Sequence, residues 1–149
     1  MELNEEITIN APKARVYAAL NDPEILKQCI PGCEELIQHS DTELEAKVVL
    51  KVGPVKARFS GNVELDKSGA PDAFSLSGQG SGGAAGHAKG SADVTLEEDG
   101  DQTILRYTAK AEIGGKLAQL GSRLIQSTAK KLAGKFFKSF AEAVNQVEA

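Results

Sequence analysis

The stretch KLAQLGSRLIQSTAKKLAGKFFKSFAEAVNQV, residues 116–147, decides the fold of this chain. It contains no proline and is rich in Ala, Leu, Lys and Gln, which favour helix formation. Apolar or small residues recur at steps of three or four, which predicts one amphipathic helix of about eight turns. This apolar stripe consists of Ala118, Ser122, Ile125, Ala129, Leu132, Phe136, Phe140, Ala143 and Val147. So long a helix needs a broad apolar surface to lie on, which the preceding residues must supply.

Composition and charge restrict the class of protein. The 149 residues, 41% of them hydrophobic and 26% charged, suit a single globular domain over residues 1–149. A net charge of -4 argues against nucleic-acid binding, which requires a basic footprint. Residues 1–6 lack the basic start of a signal peptide, and no apolar run approaches the roughly 20 residues of a membrane span. We therefore expect a cytoplasmic protein that keeps Cys29 and Cys33 as thiols.

The first thirty residues predict a strand followed by two short helices. Apolar residues within 3–10 indicate the strand, and Pro12 stands where a helix can begin. Asp22-Pro23-Glu24 combines a capping side chain, a proline for the first turn and an acid near the positive helix end. Pro31-Gly32 then ends the second helix.

From Cys33 to Ile113 the hydrophobic period changes from 3.6 to 2. Residues 43–52 and 55–65 alternate strictly, and Gly53-Pro54 forms the turn between them. The same alternation continues through residues 74–96 and 105–113. Strands that are polar on one face and joined by short turns predict an antiparallel meander. The chain therefore predicts an α+β helix-grip arrangement, with a curved seven-stranded antiparallel sheet around a long C-terminal helix and two short helices after the first strand.

Several spaced motifs give the chain a family resemblance. They are PGCEEL at residues 31–36, VGPVKA at residues 52–57, the glycine-rich run at residues 78–90 and IGGKLAQLGSRLI at residues 113–125. In these motifs, over essentially its whole length, the chain resembles the carbon monoxide dehydrogenase G-subunit (CoxG) family. That family belongs to the START-like, polyketide-cyclase-like (SRPBCC) superfamily, so the resemblance implies a START/Bet v 1-like ligand-binding domain.

The resemblance also implies a function. Members of the superfamily hold apolar ligands between sheet and helix. The family implies a non-catalytic accessory to molybdenum-containing carbon monoxide dehydrogenase that recruits it to the membrane and handles a quinone or another lipid. Many relatives extend into a linker and a membrane anchor, whereas this chain stops at Ala149. We therefore expect peripheral contact with the inner face of the membrane rather than direct anchoring.

Small residues on the predicted inward positions of the strands indicate a cavity. Alanine or glycine recurs on the apolar phase of every strand from Ala46 to Ala111, opposite the small first half of the helix stripe. A cavity there would be closed at its far end by Phe136 and Phe140. Alternatively, Phe59, Phe74 and these two rings fill the space, or the elements draw closer. The predicted ligand-binding residues are Phe59, Gly61, Leu76, Ala88, Gly90, Leu105, Tyr107, Ala109, Ala118, Ser122, Ile125 and Ala129.

The opposite face of the C-terminal helix is basic. Arg123, Lys130, Lys131 and Lys138 form a stripe on an otherwise acidic protein, flanked by leucines at positions 117, 120 and 124. The stripe is either an ordinary solvated helix face or a docking surface for an acidic protein or anionic lipid headgroups. Because that side lacks an aromatic residue for insertion, a protein partner is the favoured interpretation.

Other chemistries find weaker support. Residues 78–83 match the dinucleotide fingerprint GxGxxG, but no helical pattern follows, and a helix N-terminus is what would bind the pyrophosphate. Only His39 and His87 could complete a metal site with the two cysteines, so we predict none. For a cyclase or hydrolase, the inward set offers Tyr107, with Tyr17 from the first helix, and neither the acids nor the histidines. A docking module without a ligand is the third alternative.

Overall fold

The computed structural model describes the backbone of residues 1–148 and the side chains of residues 1–145. Val147, the last residue of the predicted apolar stripe, therefore lies outside the described side chains. The α-helices are α1 (Lys13–Leu20), α2 (Pro23–Cys29) and α3 (Ser122–Glu148). The strands are β1 (Glu2–Ile9), β2 (Cys33–Gln38), β3 (Glu43–Val52), β4 (Val55–Asp66), β5 (Ala73–Ser81), β6 (His87–Asp99) and β7 (Gln102–Gly114).

The seven strands form one antiparallel sheet in the order β1-β7-β6-β5-β4-β3-β2. Strands β2 to β7 follow one another as a meander, and β1 pairs with β7 at the far edge. The two short helices thus connect the two edges of the sheet, and α3 lies on its apolar face. This confirms the predicted helix-grip arrangement. The Asp22 side chain accepts a hydrogen bond from the Glu24 N–H at 3.0 Å, as its predicted role as the cap of α2 requires.

The start of α3 differs from the prediction. Residues Gly115–Leu120 form a 3₁₀ turn, and the α-helix begins only at Ser122, six residues after the predicted start at Lys116. Gly121 separates the two with a φ of +96°, a left-handed conformation that glycine adopts without steric cost. This interruption changes the phase of the apolar stripe. Ala118 and Ser122, predicted to face the sheet, are consequently exposed.

The three leucines at this end face inward instead of flanking the basic stripe. Leu117 is buried, and Leu120 and Leu124 pack against the same small cluster. A second local difference lies before β6, where Gly83–Ala85 forms a 3₁₀ turn. Ala84, predicted to be an inward strand residue, is exposed there, while Ala85 is buried.

The hydrophobic core has two parts. The larger part joins α1, α2 and the C-terminal half of α3 to one end of the sheet, and its fully buried side chains include Phe140, Ile9, Leu105, Val16 and Val144. The smaller part contains Val52, Phe59, Ala85 and Leu117 at the other end. The region between these two parts is where the sheet and α3 are least filled.

Thr103 provides a stability test in the larger core. Its side chain is fully buried, and its Oγ1 donates a hydrogen bond to the Ala11 carbonyl oxygen at 2.7 Å. We expect Thr103→Val to lower the free energy of unfolding by about 1–3 kcal/mol, because the buried carbonyl loses its donor. Urea denaturation measures the loss. Thr8→Val, the same change on an exposed residue of β1, should shift stability by less than about 0.5 kcal/mol, and equal effects of both changes would contradict the prediction.

Candidate ligand-binding site

A cavity of about 380 Å³ lies between the first half of α3 and the concave face of the sheet. The helix side of its wall consists of Leu117, Ile125, Thr128, Ala129 and Leu132. The sheet side comes from β3 to β7 and is aliphatic, aromatic or glycine wherever the strand positions face inward. Those inward residues are Ala46, Val48, Leu50, Val52, Phe59, Gly61, Val63, Gly78, Gly80, Ala88, Gly90, Ala111 and Ile113, and Met1 lies beside them.

The cavity exists because two neighbouring rows across the sheet carry almost no side chain. In one row Gly61 pairs with Gly80, which pairs with Ala88. In the next row Gly78 pairs with Gly90, which pairs with Ala111. Strand register therefore gathers into one patch small residues that are far apart in the chain. Over this patch the backbone of the sheet itself forms the wall.

The glycines also allow a close approach of backbone within the sheet. A Cβ atom on Gly78 would lie 2.8 Å from the Asn62 carbonyl oxygen, and one on Gly90 would lie 2.9 Å from that of Lys110. Both distances are shorter than Cβ atoms tolerate. At these positions glycine thus serves the shape of the sheet and the free volume together.

Both ends of the cavity are closed by bulky groups. At one end the Phe59 ring lies over Gly82, where a Cβ atom would come within 2.5 Å of the ring, and Leu117 packs beside it. At the other end Phe136 and Phe140 stack with their centroids 5.9 Å apart. The free volume therefore lies under the first half of α3, between two packed regions.

The chemistry of the wall is apolar. Thr128 is the polar residue that α3 contributes, and it is half-buried. Asn62, Gln79 and Lys89 also border the cavity, but they are exposed and alternate with the inward glycines and alanines. No Asp, Glu, His, Cys or Tyr is among the described residues of this wall. Such a site can hold an apolar molecule by the hydrophobic effect, but it presents no pair of groups for proton transfer.

The structure separates the twelve residues predicted to bind a ligand into two groups. The first group lines the cavity and consists of Phe59, Gly61, Ala88, Gly90, Ile125 and Ala129. Of the others, Leu105 and Tyr107 are buried in the larger core, and Leu76 and Ala109 pack against it. Ala118 and Ser122 are exposed, because the break at Gly121 changes the phase of the stripe. Alternation identified the inward face, but it could not tell which inward residues meet the filled part of the core.

The cavity also contains residues that the prediction omitted from the site. Leu117 and Thr128 were missed because the phase of the stripe was extrapolated across Gly121. Val48, Leu50 and Val52 of β3 were recognised as inward but not as part of the wall. Their unbroken alternation was the signal that could have placed them there.

One acidic residue faces inward, contrary to the prediction that all acids lie outside or on loops. Glu5 pairs with Tyr107 across β1 and β7, and the Tyr107 hydroxyl donates a hydrogen bond to its Oε2 at 3.0 Å. Burial, together with the hydrogen bond to Glu5, raises the pKa of Tyr107. The Tyr107 ring stacks on Phe137 with centroids 5.4 Å apart. This pair lies outside the cavity wall, so it serves the packing of the β1 edge against α3.

The remaining candidate motifs have plain structural roles. Gly78 and Gly80 lie within β5, and a 3₁₀ turn rather than an α-helix follows them. Cys29 is buried and Cys33 half-buried, both are free thiols, and burial raises the pKa of each. Among the residues that the structure describes, no three His, Cys, Asp or Glu side chains come together as metal ligands. None of the described helices is long and apolar enough to cross a membrane.

Comparison with known proteins agrees with this architecture. The CoxG family model, which describes the G subunit of carbon monoxide dehydrogenase, matches residues 6–145. A conserved protein from Geobacillus kaustophilus has a crystal structure similar to this chain, with a TM-score of 0.92, 28% identity, and coverage of 98% of this chain and 96% of that one. No curated protein sequence matches the chain.

Two more distant structures identify the fold. A START superfamily protein from Mycobacterium smegmatis superposes with a TM-score of 0.72 at 15% identity, covering 98% of both chains. An aromatase/cyclase from Streptomyces sp. R1128 superposes with a TM-score of 0.73 at 11% identity, covering 100% of this chain and 96% of that one. At such identities only the fold is shared, and it is the START/Bet v 1-like helix-grip fold.

Proposed function

We propose, from the premise that this chain belongs to the CoxG family of carbon monoxide dehydrogenase proteins, that it is a non-catalytic accessory protein binding a lipid-like or quinone-like molecule. The ligand would occupy the cavity under the first half of α3. The protein would serve a molybdenum-containing dehydrogenase of the carbon monoxide dehydrogenase type. Its service would be to supply an electron acceptor to that enzyme or to assist its recruitment to the membrane.

The observation that carries this proposal is the glycine and alanine patch of the sheet. A chain selected only for stability fills its interior to the density of an organic crystal. Here residues of β4, β5 and β6 instead leave a volume of about 380 Å³, bounded mainly by apolar groups. Sites for small molecules have this character, being concave, mostly apolar and formed before the ligand arrives. An apolar ligand would gain free energy there roughly in proportion to the area that it removes from water.

Catalysis by a cyclase or hydrolase is the alternative, and no observation favours it. Such chemistry needs an acid or base within hydrogen-bonding reach of the ligand. The inward-facing ionisable pair, Glu5 and Tyr107, is packed at the β1 edge against Phe137 and does not line the cavity. A docking role without a ligand would leave the free volume without a purpose.

Native mass spectrometry of the freshly purified protein tests the ligand. We expect an additional mass that organic extraction removes and that reappears when the extracted lipid is added back. A ligand that binds only the folded state should also raise the melting temperature of the extracted protein as its concentration increases. The proposal fails if the protein carries no additional mass and a neutral apolar dye neither binds it nor raises its melting temperature.

A further inference from the structure

The charges of this chain are segregated along the sequence. Residues 116–141 contain six Lys and Arg and no Asp or Glu, whereas the rest of the chain contains 11 Lys and Arg and 21 Asp and Glu. In the structure this acid-free span is the 3₁₀ turn and most of α3. Arg123, Lys130, Lys131, Lys135 and Lys138 are all exposed on α3. An otherwise acidic protein therefore presents one basic helix face.

This basic face borders a groove between α2 and α3. The groove has a volume of about 610 Å³, and its walls include Lys27 at the end of α2 and both Lys135 and Lys138 of α3. Residues 30–33 also line it, and Glu142 is the one carboxylate among its described residues. We call the site formed by Lys27, Lys135 and Lys138 the basic groove. It is separate from the apolar cavity, with which it shares no lining residue.

None of the three lysines of the basic groove forms an ion pair with a described carboxylate. On the sheet, by contrast, cations have partners close by. Lys47 lies 3.3 Å from Glu35, and Arg58 lies 2.9 Å from Glu34. The side chains of α3 and α2 thus bring three like charges into one concavity without a described ion-pair partner. A ligand that carries several carboxylates would relieve their repulsion and form the ion pairs that the described residues do not supply.

We infer that the basic groove is a docking site for an acidic segment of a partner protein. A groove can receive an extended chain and its side chains, whereas a planar membrane surface cannot enter it. The face also lacks an apolar residue for insertion, since Met1 and Ile37 are the exposed large hydrophobic residues among those described and both lie elsewhere. Arg123, Lys130 and Lys131 would extend the positive field along α3 and speed encounter with the acidic partner.

This inference rests on the accessory role proposed above and deepens it, because it gives the chemistry by which a partner enzyme would be recognised. Docking does not require an occupied cavity, however. The two proposals can therefore fail separately when peptide binding is measured on protein from which lipid has been extracted.

Fluorescence anisotropy with a short labelled peptide of alternating Glu and Gly tests the inference. We expect the protein to bind it at low salt, to bind an alternating Gln and Gly peptide far more weakly, and to lose affinity steeply as salt screens the charges. The triple variant Lys27→Glu, Lys135→Glu, Lys138→Glu should weaken binding about tenfold or more. The neutral variant Lys27→Gln, Lys135→Gln, Lys138→Gln keeps the test decisive if the reversed charges prevent folding.

The matched control reverses the same number of exposed lysines on the sheet, at positions 51, 56 and 110. It makes the same change in net charge and should lower affinity far less. Equal losses from both variants, or no binding of the acidic peptide, would overturn the inference. It would also be overturned if vesicles of phosphatidylcholine and phosphatidylglycerol bound the groove in preference to the peptide, since the partner would then be a lipid surface.

Discussion

The substitution Ala88→Phe should abolish binding of apolar molecules while the protein remains folded. Ala88 lies on β6 between Gly80 and Ile113, and its methyl group faces the cavity. A phenyl ring there would occupy space that the ligand needs. Because the ring enters free volume, the strain should stay below the roughly 1–3 kcal/mol that overpacking costs in a filled core. We expect the affinity for the neutral dye N-phenyl-1-naphthylamine to fall about tenfold or more, a loss of about 1.4 kcal/mol in binding free energy.

Two further alanines make this test specific. Ala109 also faces inward but packs against the filled part of the core, so Ala109→Phe should destabilise the protein by about 1–3 kcal/mol. Ala14 is exposed on α1, so Ala14→Phe should change neither dye binding nor stability appreciably. Gly90→Leu is a poorer probe, because any Cβ atom there meets the Lys110 carbonyl oxygen at 2.9 Å. If Ala88→Phe unfolded the protein as readily as Ala109→Phe, the space would be a packed interior rather than a binding cavity.

Truncation of Phe140 should produce the largest loss of stability. Its ring is fully buried, stacks on Phe136 and joins α3 to the larger core. Phe140→Ala removes this buried ring and leaves a void, which typically costs about 3–5 kcal/mol. That is a large fraction of the roughly 5–15 kcal/mol by which a domain of this kind is stable. Urea denaturation followed by circular dichroism should show a correspondingly lower midpoint.

The conservative change at the same position provides the control. Phe140→Leu retains most of the buried apolar volume and should cost much less than the truncation. Where Phe140→Ala still folds, its affinity for the neutral dye should stay close to that of the original protein, because Phe140 does not line the cavity. A loss of stability below about 1 kcal/mol would mean that α3 is not held by this end of the core.

The fold was largely predictable from the sequence because its signals are local and repeated. Residues 43–52 and 55–65 alternate with a period of 2, which indicated both strands and their antiparallel turn. The step of three or four through Phe136 and Phe140 likewise indicated the second half of α3. The break at Gly121 was not predicted, because leucines on both sides of a glycine are compatible with one continuous helix as well as with two segments of different phase.

The basic helix face was likewise visible in the sequence, whereas the groove was not. Lys135 and Lys138 stand on a recognisable helix, but Lys27 belongs to α2, more than one hundred residues earlier. Only the packing of α2 beside α3 brings the three lysines to one concavity. Such a site depends on the distance between two elements, which no periodicity reports.

The sequence by itself determined the order of elements, the face that each strand turns inward, and the small size of the residues on that face. The tertiary structure decided which of those residues border free volume. Gly61, Gly80 and Ala88 lie apart along the chain and become one row only through strand register. Ala109, equally small and equally inward, lies against a packed core instead. The physical reason is that a side chain's size is a local property, whereas a cavity is what remains after all the surrounding elements have packed.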